Sequence, residues 1–474
     1  MAETVYQMEE KYEEYLIDES KYKGYADSIS FPESEEEIKA ILEKMRNEQA
    51  PVTIQGAKTG ITGAAIPAGG HILNLSHMNK VIEHSILEDG TGRIVVEPGI
   101  NLMELQKEIG ARFRKEHLFW PPDPTETSAS IGGIIASGAQ GISHMLYGDT
   151  AKYVESIRLI DGMGNIRDIS TGQEEEILPG EKINAMDMVL GKEGITGIIT
   201  RITLKVIPKP ETVWGIVFFF EDTAGAAAFV DVLRKELPEE DEAKVAAVEY
   251  IDRRSIDLIE TRKETMTKIK ELPDIEEDIQ ALVYTELQGN EDGIEMLAES
   301  LMESAMECGS DPDRAWALSG DTEVEKLHAF RHAAAETANL YIEEQRRKDD
   351  RITKLGTDML VGNLSFGELL EQYEKDMEET GLKGCIFGHA LENHLHVNIL
   401  PEDYETYEKG ITLIRKWAEE AEKCHGKIAG EHGIGKLRRQ IMGDYISKDY
   451  LSLCRKLKSH LDIEGRLNQG NILE

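Results

Sequence analysis

Short extended runs rich in β-branched and aromatic residues alternate along this chain with amphipathic helical stretches, and that alternation confines the fold to layers of mixed helix and sheet. Ser34 and Glu37 form a capping box ahead of an apolar stripe at Ile38, Ile41, Leu42 and Met45. The strand PVTI, a glycine-rich loop and the strands HILNL and RIVVEPG follow. Asn101 and Glu104 open a further short helix carrying Leu102, Leu105 and Ile109. More strands fall near Tyr153 to Ile160 and Gly197 to Val206, and this first block closes at Pro208 and Pro210. In the middle block VWGIVFFF, KVAAVEYI and ALVYTEL read as buried strands, each followed by an acidic helical pattern. Such β-α-β units, with helices on one side, predict a ferredoxin-like cap. GCIFGH and HLHVNIL are two further strands, a helix runs from about Glu402 to Cys424, and the tail holds EHGIGK and LNQGN. The expected class is α+β.

A chain of 474 residues exceeds one ordinary domain. Its first residues, MAETVYQMEEKYEEY, lack the basic and apolar regions of a secretion signal, and Val213 to Phe220 is too short to span a bilayer. A cytoplasmic location is the expectation. The net charge of -37 argues against nucleic acid, since a polyanion would be repelled over most of the surface. That charge fits either a solvated acidic surface or a face that steers a basic redox partner. Cys308, Cys385, Cys424 and Cys454 form no C-x-x-C pair, which points to reduced thiols and away from thiolate metal cages.

Three constellations carry chemistry. In QGAKTGITG, Gly56, Gly60 and Gly63 permit positive φ and close backbone approach, so successive N–H groups can surround a phosphate. The spacing is not G-x-G-x-x-G, and a merely structural turn remains an open reading. In WPPDPTETSASIGGIIASGAQG, two prolines stiffen the entry, and Thr127, Ser128 and Ser130 precede the paired glycines Gly132 and Gly133. That surface suits a flat polar ring, or else a tightly packed crossing of small residues. GHALENHLHVN gathers His389, His394 and His396, with a turn expected at Asn393, while GEHGIGK adds Glu431 and His432. In an extended segment His394 and His396 share a face. Imidazoles with a carboxylate suit a borderline divalent ion such as zinc, manganese or iron(II). Gly430 to Lys436 fits G-x-x-x-x-G-K, but Leu437 stands where a P-loop needs Ser or Thr, which disqualifies it.

In this order, the Thr59-Gly60 loop, PPDPTETSASIGG, Tyr147-Gly148, GKEGITGIIT, KLGTD, NHLHVNILP, GEHGIG and LNQGN resemble the vanillyl-alcohol-oxidase-like FAD flavoproteins. Within them the chain resembles the D-lactate, glycolate and D-2-hydroxyglutarate dehydrogenase branch. The resemblance implies a split FAD-binding domain of the p-cresol methylhydroxylase type with a cap and a returning C-terminal segment. The implied boundaries are a helical extension over 1–27, the FAD domain over 28–210, the cap over 211–425 and the return over 426–474. By position, Gly56, Ala57, Lys58, Thr59 and Gly60 wrap the pyrophosphate. Pro122, Thr127, Ser128, Gly132 and Gly133 line the isoalloxazine and its link. Glu193, Gly194 and Ile199 meet the adenosine half, and Asn468 approaches the flavin from the tail. No His or Cys stands at an alignable attachment position, so the FAD is expected to be non-covalent.

The resemblance also assigns a metal to His389, His396 and Glu431, the catalytic base to His432, and the substrate carboxylate to Arg331 and Lys354. Arg331, in a long helix, could instead simply pair with a surface glutamate. Departures from the family pattern are Ala57 and Lys58 for glycines, Gly138 for Asn, and Leu391-Glu392 for Gly-Asp. The implied reaction removes the hydroxyl proton of a small 2-hydroxy acid, D-lactate foremost and glycolate or D-2-hydroxyglutarate next, as the C2 hydride passes to flavin N5. The metal is expected to stabilise the developing alkoxide and to keep His432 neutral. Rival readings are an oxidase of sugars or aromatic alcohols, a flavin-free metal-dependent hydrolase, and a subunit passing electrons to an electron-transferring flavoprotein, with a cytochrome or the quinone pool as other acceptors.

Overall fold

The computed structural model describes residues 5–474; residues 1–4, the start of the expected N-terminal extension, lie outside the described residues. The chain divides into two units. One comprises Met1–Gly141, Gly148–Lys209 and Glu431–Glu474, the other Ile142–Tyr147 and Pro210–Gly430.

The first unit contains two main sheets. In the smaller, the strands run Tyr6–Gln7, Ser28–Ser30, His71–Asn74, Val52–Gln55, with parallel pairing on both sides of His71–Asn74. Parallel strands need a crossover, and the helix Glu35–Asn47 supplies one between Ser28–Ser30 and Val52–Gln55. Its stripe of Ile38, Ile41, Leu42 and Met45 is buried against Val52, Leu73, Ile160 and Leu467. Ser34 caps this helix by accepting from Glu37 N–H, but the Glu37 carboxylate returns to Glu33 N–H, one residue short of a complete box. Within the N-terminal extension the helical part is a 3-10 helix, Glu10–Leu16. The larger sheet is antiparallel and runs Val81–Ile86, Gly92–Val96, Ile198–Pro208, Val154–Ile160, Ile166–Ser170, with Leu118–Phe119 also pairing Ile198–Pro208. The tail comes back to the small sheet: Val52 N–H donates to Arg466 O, and Asn468 N–H to Val52 O, each at 2.9 Å.

The second unit is built on one sheet in the order Trp316–Ser319, Thr212–Phe220, Ala281–Gly289, Ala243–Asp252, Gly384–His389, His394–Ile399, Leu355–Gly356, with Met359–Leu360 also on His394–Ile399. Its strands are apolar on both faces, which requires cover on both. Val217, Phe219, Ile251, Leu282 and Tyr284 pack with Ile256 and Ile259 of the helix Arg253–Arg262 and with Leu327 and Phe330 of Asp321–Arg346. On the opposite face Phe218 meets Phe229 of the helix Thr223–Lys235, and Tyr250 meets Phe366 of Phe366–Thr380. Helices therefore lie on both faces, where chain order alone had placed them on one. Among the described residues no helix is long and apolar enough to cross a membrane.

Candidate functional site

In the first unit the glycine-rich loop leaves the C-terminal end of the parallel strand Val52–Gln55. Lys58 holds a left-handed φ of 62°, and its ammonium donates to Glu14 O at 2.9 Å, drawing the side chain off the loop crest. Among the described residues, none of the backbone N–H groups of 56–62 donates to a protein acceptor. A Cβ on Gly60 would meet nothing within 4 Å, whereas one on Gly56 would lie 2.1 Å from Ser130 Oγ. A bare crest of N–H groups over open space, pressed against a hydroxyl at its base, fits the diphosphate of a dinucleotide.

Ser130 is the N-cap of the helix Ile131–Ser137 and accepts from Gly133 N–H at 3.3 Å. Gly132 is required by packing, since a Cβ there would strike Pro98 at 2.6 Å. Ser128 is turned to Glu126, its hydroxyl donating at 2.6 Å, and Thr127 O accepts from Met103 N–H at 3.0 Å. Pro122 is buried just ahead of these turns.

Three residues expected near the adenosine are committed to the protein's own backbone or core. Buried Glu193 accepts from Ile434 N–H at 2.5 Å and Gly435 N–H at 2.9 Å, so its carboxylate braces the GEHGIG loop. Burial raises its pKa, and those two N–H groups work against the rise. Asn468 accepts from Ile54 N–H at 2.7 Å and donates to Glu193 O at 2.6 Å, tying the tail to the strand and to this turn. Gly194 has φ of 73°, and a Cβ there would come within 2.5 Å of Asn468 Nδ2. Ile199 is buried in the strand Ile198–Pro208. In the same unit Glu431 is buried and lies 3.4 Å from His432 Nε2, while His432 Nδ1 is 3.4 Å from Arg438 Nη2.

In the second unit the hairpin of Gly384–His389 and His394–Ile399 pairs His389 with His394 and Phe387 with His396. Asn393, with φ of 51°, makes the turn, and its amide donates to Val361 O and Leu364 O. The three imidazoles are buried, with ring centroids 4.9 to 6.0 Å apart. Donor atoms of Asp358, His394 and His396 lie within 4.8 Å of one another, a spacing that a divalent cation can collect. Asp358 Oδ1 lies 2.7 Å from His394 Nε2, and its Oδ2 accepts from Gly430 N–H at 3.0 Å. His389 turns Nδ1 to Glu249 Oε1 at 2.5 Å. Arg331 Nε donates to Glu249 Oε2 at 2.6 Å, and Lys354 donates to Asn339 Oδ1 at 2.6 Å. Burial would push the Glu249 carboxyl up, but Arg331 and His389 overcome it and hold it down at about 2. Glu392, one of the departures in the histidine loop, holds His144 Nδ1 at 3.0 Å and so ties the segment Ile142–Tyr147 to that loop.

Asp358 and Glu249 are not among the sequence-predicted site residues. Their signal was present: each is a lone carboxylate in an otherwise apolar or small-residue strand context, KLGTD and KVAAVEYI, where a charge must find a partner.

Comparison with known proteins shows the family. A family model described as FAD linked oxidases, C-terminal domain, matches residues 209–472, and one described as FAD binding domain matches 26–170. The chain is 28% identical to a D-lactate dehydrogenase of Anaerostipes hadrus over 93% of its length and 88% of that protein's. It is 24% identical to glycolate oxidase subunit GlcD of Bacillus subtilis over 95% and 90% of the two lengths. It is 23% identical to a D-2-hydroxyglutarate dehydrogenase of Stutzerimonas stutzeri over 94% and 90%. A solved structure of p-cresol methylhydroxylase shares the fold with a TM-score of 0.73 at 14% identity, covering 99% of this chain and 93% of that one. Alkyldihydroxyacetonephosphate synthase follows with 0.63 at 18%, covering 94% and 76%. With matches that span both its glycine-rich loop and its histidine hairpin, this chain belongs to the FAD-linked oxidases and is an FAD-linked oxidoreductase of the D-lactate, glycolate and 2-hydroxyglutarate dehydrogenase group.

Proposed function

We propose that this enzyme oxidises a small 2-hydroxy acid, with D-lactate the first candidate and glycolate or D-2-hydroxyglutarate next, to the 2-oxo acid. The observation that carries the reading is the buried imidazole trio with carboxylates at hydrogen-bond distance from two of its rings. Such a set is costly to bury without a cation to serve, and a cation suits a substrate with adjacent hydroxyl and carboxylate oxygens. The D-lactate dehydrogenase and glycolate oxidase relatives support the same substrate class by their names.

Non-covalently bound FAD supplies the hydride acceptor, and its diphosphate fits the bare N–H groups of 56–60. A divalent cation, zinc, manganese or iron(II), supplies Lewis-acid stabilisation of the substrate oxygens. His389, His396 and Glu431 are its proposed ligands. Asp358 and His394 buttress them, because Asp358 already fixes both His394 and the N–H of Gly430, the residue before Glu431. His432 takes the hydroxyl proton as general base. Arg331 and Lys354 hold the substrate carboxylate and set the direction of its C2–H bond. The electron acceptor is proposed to be a protein such as an electron-transferring flavoprotein or a cytochrome, or the quinone pool.

The clustering of Asp358, His394 and His396 favours a second reading of the cation's ligands, in which Asp358 and His394 coordinate directly. Metal content separates the two: the first reading expects His389→Ala to empty the site and His394→Ala to weaken it, the second expects the reverse. The reaction itself is tested by anaerobic mixing of the purified enzyme with D-lactate, glycolate, D-2-hydroxyglutarate and the L-enantiomers of the chiral acids. Loss of the oxidised-flavin absorbance with one of these acids is expected. Bleaching by an aromatic alcohol or a sugar, and by none of the acids, would overturn the substrate class.

A further inference from the structure

Glu249 is a carboxylate 2% exposed on the strand Ala243–Asp252, in register with Tyr284 on one side and His389 on the other. Its neighbours on that face, Ala247, Ile251, Leu282 and Phe387, are core residues. A charge there costs several kcal/mol in desolvation unless its geometry is used. Both oxygens are used: Oε1 meets His389 Nδ1 at 2.5 Å, and Oε2 accepts from Arg331 Nε at 2.6 Å. One rigid group in the middle of a sheet thus grips two side chains that arrive from different elements, a strand end and the long helix Asp321–Arg346.

From this geometry we infer that Glu249 is a positioning residue that sets both the metal-binding tautomer of His389 and the aim of the Arg331 guanidinium. The inference rests on the cation reading given above. With the Nδ1 proton directed at Glu249, the neutral imidazole carries its lone pair on Nε2, and the carboxylate raises the basicity of that nitrogen. The same carboxylate holds Arg331 at Nε, which fixes the plane and direction of the fork that is to meet the substrate carboxylate. Losing Glu249 therefore weakens two things at once, cation affinity through His389 and substrate affinity through Arg331. A purely structural ion pair would lower stability and leave both untouched.

The test uses FAD-loaded protein stripped of metal by a chelator and titrated with Zn2+ against a chromophoric competitor. Glu249→Gln keeps the size of the side chain, and the double variant Glu249→Ala with Arg331→Met removes the buried pair as a whole, which limits damage to folding. His328→Ala, which breaks the neighbouring His328–Glu286 pair, serves as the control. With FAD content and melting temperature at the wild-type level, Zn2+ affinity is expected to fall ~10–100-fold in Glu249→Gln and in the double variant, and to stay unchanged in the control. Reloaded with excess Zn2+, Glu249→Gln is expected to show a raised KM for the acid with a smaller loss in kcat. If either Glu249 variant binds Zn2+ as wild type does, the inference is overturned and the cation reading stands. If the wild-type protein takes up no Zn2+, the cation reading falls and this inference falls with it.

Discussion

At the residue scale, side chains that look alike in sequence take different work from their partners. Glu193 and Asn468 spend their polar atoms on backbone of the same unit, so what they do is shape the turn. His432 is the proposed general base. Its replacement by alanine is expected to leave FAD bound while flavin reduction by the acid slows ~100-fold to ~10,000-fold, the usual worth of a general base; rapid-mixing spectroscopy measures both. The two loop glycines make a sharper pair. A Cβ on Gly60 meets no protein atom within 4 Å, so Gly60→Ala is expected to preserve melting of the FAD-free protein and to weaken FAD binding. Gly56→Ala drives a methyl into Ser130 and is expected to lower melting of the FAD-free protein as well. Equal FAD affinity in wild type and Gly60→Ala, read by fluorescence titration, would place the diphosphate elsewhere.

At the element scale the long buried strands are legible because apolar runs, caps and glycines mark them locally, whereas short strands such as Ile166–Ser170 and Trp316–Ser319 escape that reading. Ser34 and Asn101 each cap the helix that follows. The weakest reading was which face of the second sheet each helix covers, since periodicity shows that a strand is buried on both sides without saying by what. The histidine hairpin was legible from His-x-His alternation and Asn393, but the carboxylates that orient its rings come from Ala243–Asp252 and Asp358, far away in sequence. The small parallel sheet carries a prediction of its own. His71 lies between the hydroxyls of Ser28 and Ser30 at 2.9 and 2.7 Å. Burial, with Lys44 adding to it, lowers its pKa to about 4 from 6.5. Between those values the unfolded chain binds the extra proton and the folded one does not. Stability is therefore expected to be complete above 6.5 and to fall by roughly 3 kcal/mol as pH drops through 4. Urea unfolding midpoints for wild type and His71→Gln measure this, and the variant is expected to lack that part of the slope.

At the scale of the whole molecule, membership of the FAD-linked oxidases is readable from motif order. Ile142–Tyr147 falls in the second unit although it is embedded in first-unit sequence, and nothing local in ISHMLY announces that; its tethers to Glu392 and Gln288 do. The net charge of -37 also acts at this scale. Electron transfer from the reduced flavin to a cationic acceptor protein is expected to slow as ionic strength rises, and transfer to a neutral quinone analogue is expected to stay flat. Steady-state rates with the two acceptors across a salt series make that comparison.

As proposed, the histidine hairpin serves a cation without which the flavin receives no hydride from the acid. Chelator-treated enzyme with its FAD retained, mixed anaerobically with the preferred 2-hydroxy acid, is the direct measurement. The flavin is expected to stay oxidised, and added zinc or manganese to restore bleaching. Bleaching at the untreated rate in metal-free enzyme would contradict it.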